Sequence, residues 1–142
     1  MSSPQSKWSE AELIAFEQLV SATGYGNSSR RAYRGDAPEG IVNYWEFRTG
    51  GGVNDNAIVG CYGRPLVDAI VEGLFVDREE AMRVGEEVQS LLGSTTNLTK
   101  PSLSPLDRLV LDQWAEITQE RDEDDRILFR LIMSGTMLYD AT

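Results

Sequence analysis

The stretch from Gly63 to Gly93 constrains the fold of this chain most. It reads GRPLVDAIVEGLFV and then DREEAMRVGEEVQSLLG. Side chains of a strand alternate between two faces. Val67, Ala69, Val71 and Phe75 therefore share one face from Leu66 to Val76, interrupted by Gly73. The other face mixes Asp68 and Glu72 with Leu66, Ile70, Leu74 and Val76. Apolar residues on both faces predict an interior strand, covered on one side and partly on the other. Asp77 then caps a helix, with Glu80 completing a box-like pairing. Ala81, Val84, Val88 and Leu91 recur at three and four, the spacing of a buried helical stripe. Glu79, Arg83 and Glu87 mark the opposite face. Gly85 costs about 1 kcal/mol against alanine in mid-helix. A close approach of helix to sheet would explain it, and Gly93 ends the element.

The rest of the chain is organised around that unit. A first helix is predicted to start at Ser9, with Ser9 and Glu12 as a capping box and Trp8 and Leu13 as a hydrophobic staple. Leu13, Phe16 and Val20 give it an apolar face, and Gly24 and Gly26 stop it. From Tyr25 to Gly40 no periodicity shows, and a long surface loop is expected. Ile41 to Arg48 reads as a strand, Ala57 to Tyr62 as a shorter partner, and Ser94 to Pro105 as a second loop. Leu109 to Thr118 and Ile127 to Tyr139 both alternate. Joined through Glu120 to Arg126, they predict an antiparallel hairpin with an acidic tip. The expected fold is α+β, one domain over 1–142, with residues 1–7 and 140–142 frayed. A mixed, mainly antiparallel sheet carries two packed helices in the order α-β-β-β-α-β-β.

Composition narrows the class. The 142 residues, 41% of them apolar, suit a single globular core. There is no run of about 18 apolar residues to suggest a membrane-spanning helix. The N-terminus MSSPQSKWSEAE lacks the basic and apolar regions of a secretion signal. The lone Cys61 forms no internal disulfide, so a reducing compartment is expected, and Asn27 and Asn97 carry no weight as glycosylation acceptors. A net charge of −10 argues against binding nucleic-acid backbone or an anionic membrane.

Motifs for chemistry are missing. The chain has no histidine. That removes the Ser-His-Asp and Cys-His nucleophiles, histidine-based zinc sites and histidine pH switching. Gly24-Tyr25-Gly26 follows a helix rather than a strand, so it is no dinucleotide loop. Gly50-Gly51-Gly52 leads to no Lys-Ser/Thr, so it is no P-loop. No cofactor or metal is expected. Carboxylate-only catalysis stays open as the least favoured reading.

Two charged segments are candidate interfaces. Arg30, Arg31 and Arg34 cluster with no acid between them, which suits a phosphate or an acidic protein surface, or simply a polar loop. Glu120, Asp122, Glu123, Asp124 and Asp125 are offset only by Arg121 and Arg126. The acidic run lacks the D-x-D-x-D-G alternation and distal glutamate of a calcium loop, so a solvated hairpin tip is the plainer reading. Trp8, Trp45 and Trp114 read as core, with interface anchoring as the alternative.

The phrasing of the elements resembles a known family. Arg64-Pro65 enters the strand from Val67 to Val76, and Asp77 caps REEAMRVGEEVQSLL. APEGIVNYWEFRTGGG stands before it and EITQERDEDDRILFRLIMSGTMLYD after it. This pattern, from Ser9 to Tyr139, resembles the tail terminator and minor capsid (neck) proteins of tailed bacteriophages. The resemblance implies a non-enzymatic structural protein of the virion. Six copies would form a ring that caps the tail tube and joins it to the head connector or stopper protein. DNA would pass through the lumen without specific binding, and no membrane would be involved. Its implied place is the tail or neck of the virion, after assembly in the host cytoplasm. Six copies at −10 would put about −60 around the lumen, a wall along which DNA slides without sticking. The alternatives are a head-completion or connector protein of the neck, or a small acidic protein that binds and inhibits a host factor.

Overall fold

In a computed structural model, residues 6–50, 66–93, 106–111 and 115–139 are described. The elements are α1 (Lys7–Thr23), β1 (Arg31–Arg34), β2 (Tyr44–Thr49), β3 (Leu66–Phe75), α2 (Arg78–Gly93), β4 (Leu106–Val110), β5 (Glu116–Arg121) and β6 (Ile127–Tyr139). The strands form one sheet in the order β1-β2-β3-β6-β4, with β5 also on β6. All pairs are antiparallel except β1–β2. The protein is thus a single mixed α+β domain, as expected, with the elements in the order α-β-β-β-α-β-β-β, one strand more at the end because the strand read over 109–118 is divided between β4 and β5.

Alternation decides the two faces of the sheet. Trp45, Phe47, Val71, Phe75, Leu131, Met133 and Met137 are buried on the face that α1 and α2 cover. The expected stripe of α2 is there, with Ala81, Val84 and Val88 fully buried; Leu91 lies outside the described side chains. Gly85 does sit close to the sheet: a Cβ there would lie 3.3 Å from Leu131 Cδ1 and 3.4 Å from Ala115 Cβ. Asp77 caps α2, its Oδ1 accepting from Glu79 N at 3.0 Å. Glu80 does not close the expected box. Its carboxylate turns to Arg83 and, at 3.2 Å, to Arg30.

The start of α1 differs from the expected one. Ser6, not Ser9, is the N-cap, extended at φ −67° and ψ 156°, with its side chain accepting from Ser9 N at 3.1 Å. Glu12 is drawn away from any capping box, because its carboxylate accepts from Arg34 Nε at 2.7 Å and from the Thr49 hydroxyl. With Ser6 as the cap, Trp8 lies inside α1 and not at the staple position before it. Its indole donates to Thr49 Oγ1 at 2.7 Å, and its ring lies over Gly50. The buried stripe is Ala11, Ala15, Leu19 and Thr23, one position round from Leu13, Phe16 and Val20. Small alanines let the helix sit close, leaving Phe16 and Val20 at its flank.

The predicted loop from Tyr25 to Gly40 contains a strand. β1 pairs in parallel with β2, Arg31 opposite Tyr44 and Arg34 opposite Phe47. Four residues with arginine at both ends carry too little pattern to betray it, and tertiary pairing creates it. Residues 35–43 return the chain from β1 to β2. Such a parallel connection usually needs a dozen or more residues. Here positive φ at Gly35, Gly40 and Asn43 tightens the path. Ile41 and Val42, expected in a strand, belong instead to this crossover. They pack with Ala37 on Tyr44, Leu74 and Leu128, on the face away from the helices. The strand expected at Ala57 to Tyr62, the loop from Ser94 to Pro105, and Cys61 and Trp114 lie outside the described residues.

Candidate functional site

The outer face of the sheet, opposite the helices, carries a ladder of charge that β2, β3, β6 and β5 build in register. Glu46 stands opposite Glu72 across β2 and β3. Arg48 contacts both carboxylates, Glu72 at 3.6 Å, and also reaches Asp36 at 3.8 Å. Arg130 Nη1 donates to Glu72 at 2.7 Å, while its Nε and Nη2 grip Glu120 at 3.0 and 2.8 Å. That bidentate grip lowers the pKa of the Glu120 carboxyl and raises that of the guanidinium. Glu46 is buried and also accepts from Ala37 N at 2.6 Å, tying the crossover to the sheet. Burial raises the pKa of Tyr44 beside it, helped by the Glu46 charge.

A cleft of about 520 Å³ opens between the crossover and the tip of the β5–β6 hairpin, lined among others by Ile41, Tyr44, Glu46, Leu128 and Arg130. Both of its arginines, Arg126 and Arg130, are already held by carboxylates. A second groove, about 390 Å³, runs between α2 and β5 over Met82, Gly85, Ala115 and Ile117. Met82 is exposed there.

The predicted interface residues divide into structural and surface roles. Arg30 pairs with Glu80 at 3.2 Å and lies 5.9 Å from the ring centre of Tyr25. Arg34 is held by Glu12 and by the Ser9 carbonyl at 2.9 Å, binding β1 to α1. Arg31 is exposed, and its Nε donates to the Ser28 carbonyl at 3.2 Å. Register places Arg31 on the outer face and Arg34 on the helix face, so the three arginines do not converge.

At the hairpin tip, Asp122 organises the turn. Its Oδ1 accepts from Asp124 N at 3.0 Å and Arg126 N at 2.8 Å, and its Oδ2 from Arg126 Nε at 3.0 Å. Those bonds lower its pKa, the one from Arg126 N most. Asp125 pairs with Arg121 at 3.1 Å, and Glu123 and Asp124 are exposed. Among the described residues, no cluster of three acids or cysteines could hold a metal ion. No described helix is long and apolar enough to cross a membrane.

The ladder residues Glu46, Arg48, Glu72 and Arg130 were not among the sequence candidates. Their signal was weak but present: a charge in the middle of an otherwise apolar strand. Compared with known proteins, the chain matches no family model and no curated protein.

Proposed function

We propose that this chain is a non-enzymatic structural protein of a tailed-phage virion. It forms a hexameric ring that caps the tail tube and joins it to the head connector, with DNA passing through the lumen unbound. One observation carries the reading beyond the resemblance of element order: the two ends of the sheet are oppositely charged. Between residues 27 and 35, Arg30, Arg31 and Arg34 come with no acid of the same segment, a net +3 at the β1 end, of which Glu80 and Glu12 meet Arg30 and Arg34 and leave Arg31 outward. Between 116 and 126, six carboxylates stand against two arginines, a net −4 at the β5 end. Opposite charges on separate patches of one subunit favour a head-to-tail contact between copies, the kind that closes into rings.

The test is its mass in solution, alone at high concentration and with tail-tube protein, together with its place in purified particles. A ring-sized species, found in tails free of heads, is expected. A chain that stays monomeric in both conditions and is absent from particles would overturn the proposal. Presence on the head side alone would make it a connector protein of the same neck.

A further inference from the structure

Resting on that ring reading, we infer that neighbouring copies join edge to edge. The β1 edge of one copy pairs with the β5 edge of the next, so the sheet runs on from subunit to subunit.

Both strands lie at the sheet's limits among the described residues: β1 pairs only with β2, and β5 only with β6. Each therefore presents unpaired backbone N–H and C=O groups, a template for a further strand. The two edges are chemically complementary on the same face. Arg31 stands opposite Tyr44, whose neighbours along β2 include Glu46 of the outer ladder, so Arg31 is on the outer face. Glu116 and Glu120 stand opposite Ile132 and Leu128 of β6, on the same outer face as Arg130. Arg31 and Glu116 are both exposed, and neither has a counter-ion among the described residues. Joined edges would bring them together. Pairing of β5 with its own copy is opposed by like charge, as is β1 with β1, so the charges also select the heterologous joint.

The helix face fits the same arrangement. The groove between α2 and β5 has the form used when an extended segment adds to a strand beside a helix. Its floor is Gly85, Ala115 and Ile117, with Met82 exposed at the wall. From β1 the residues on that face are Ala32 and Arg34. Arg34 is already folded back onto Glu12, leaving the small Ala32 at the joint. Met82 would then be covered by the incoming subunit.

The experiment is a charge swap read by sedimentation velocity in a Cys61→Ser background. Arg31→Glu and Glu116→Arg should each weaken assembly about tenfold or more, and the double variant should restore it. Both positions are exposed, so circular dichroism should show the monomer fold intact in all three. In the same background, Ala32→Cys paired with Ala115→Cys for an antiparallel joint, or with Ile117→Cys for a parallel one, should cross-link between copies under oxidation. Wild-type assembly that ignores both single reversals, with no cross-link, would overturn the edge joint while leaving the ring reading standing. A wild-type chain that never assembles would overturn both.

Discussion

Glu46 and Glu72 face each other in register on adjacent strands, two carboxylates where like charges repel. Arg48 touches both, and Arg130 holds Glu72 from the far side. The repulsion is thereby converted into a four-residue network that fixes the β2–β3–β6 register. Arg48→Met should cost about 1–3 kcal/mol, since Glu46 is buried and loses its counter-charge. Adding Glu46→Gln should return part of that loss. Urea unfolding of the two single variants and the double gives the coupling directly; strict additivity would show that Arg48 does not act through Glu46.

The Arg130–Glu120 pair predicts the acid limb of stability. Glu120 in the folded chain titrates below its ordinary 4.5, because Arg130 bonds its charged form. A depressed folded pKa contributes stability above the unfolded value and loses it as pH falls through the folded one. The stability gap between wild type and Arg130→Met should therefore be widest near neutrality and shrink below about pH 4.5. Urea midpoints taken across that window decide it. A gap independent of pH would mean that Arg130 acts by packing alone.

Tyr25 predicts the alkaline limb and a counter-intuitive variant. Burial, with the nearby Glu80 carboxylate adding to it, pushes its phenol up to about 12 from 10.0, and among the described residues its hydroxyl makes no hydrogen bond of good geometry. A raised folded pKa gives stability that is complete below pH 10 and lost as pH rises towards 12. Tyr25→Phe should remove that alkaline loss. At neutral pH it should be neutral or stabilising by up to about 1 kcal/mol, because an unsatisfied buried hydroxyl disappears. Ultraviolet titration of tyrosinate should show one late-titrating group missing. A neutral-pH loss above about 2 kcal/mol would mean that the hydroxyl has a partner after all.

Two glycines should respond to alanine to different degrees. A Cβ on Gly73 would meet the Phe75 ring at 2.6 Å and the Tyr44 carbonyl at 2.9 Å, and backbone cannot give way. Gly73→Ala is expected to cost about 2 kcal/mol or more through overpacking. Gly85→Ala meets only the end of Leu131 and the Ala115 methyl, and helix propensity gains about 1 kcal/mol. It should lie within about 1 kcal/mol of wild type. Thermal unfolding of both variants ranks them, and equal losses would contradict the packing described.

Buried Thr23 supplies a further contrast. Its hydroxyl accepts from Trp45 Nε1 at 3.1 Å and donates to the Leu19 carbonyl at 2.9 Å. Thr23→Val keeps the shape and orphans the indole N–H, so a loss of about 1–3 kcal/mol is expected in urea unfolding. Restoring the loss with Trp45→Phe would confirm the bond; no loss in Thr23→Val would refute it.

The sequence alone determined whatever repeats along the chain at a fixed period. β3, α2 and β6 were legible because Val67 to Phe75, Ala81 to Val88 and Ile127 to Tyr139 carry long periodic patterns that single glycines do not hide, and burial follows directly from period. So was the hairpin, from seven residues between two alternating runs. Tertiary structure alone decided what depends on contacts distant in sequence. β1 exists because β2 offers it a partner, not because RAYR favours a strand. α1 buries Ala11, Ala15 and Leu19 rather than Leu13 because small residues let it approach the sheet. Glu12 leaves the helix start because Arg34 and Thr49 arrive beside it in the fold. The outer ladder belongs to the same class, since Glu46, Glu72, Arg130 and Glu120 lie on four different strands. Only the register of pairing, with Arg48 bridging Glu46 and Glu72, turns these scattered charges into one network.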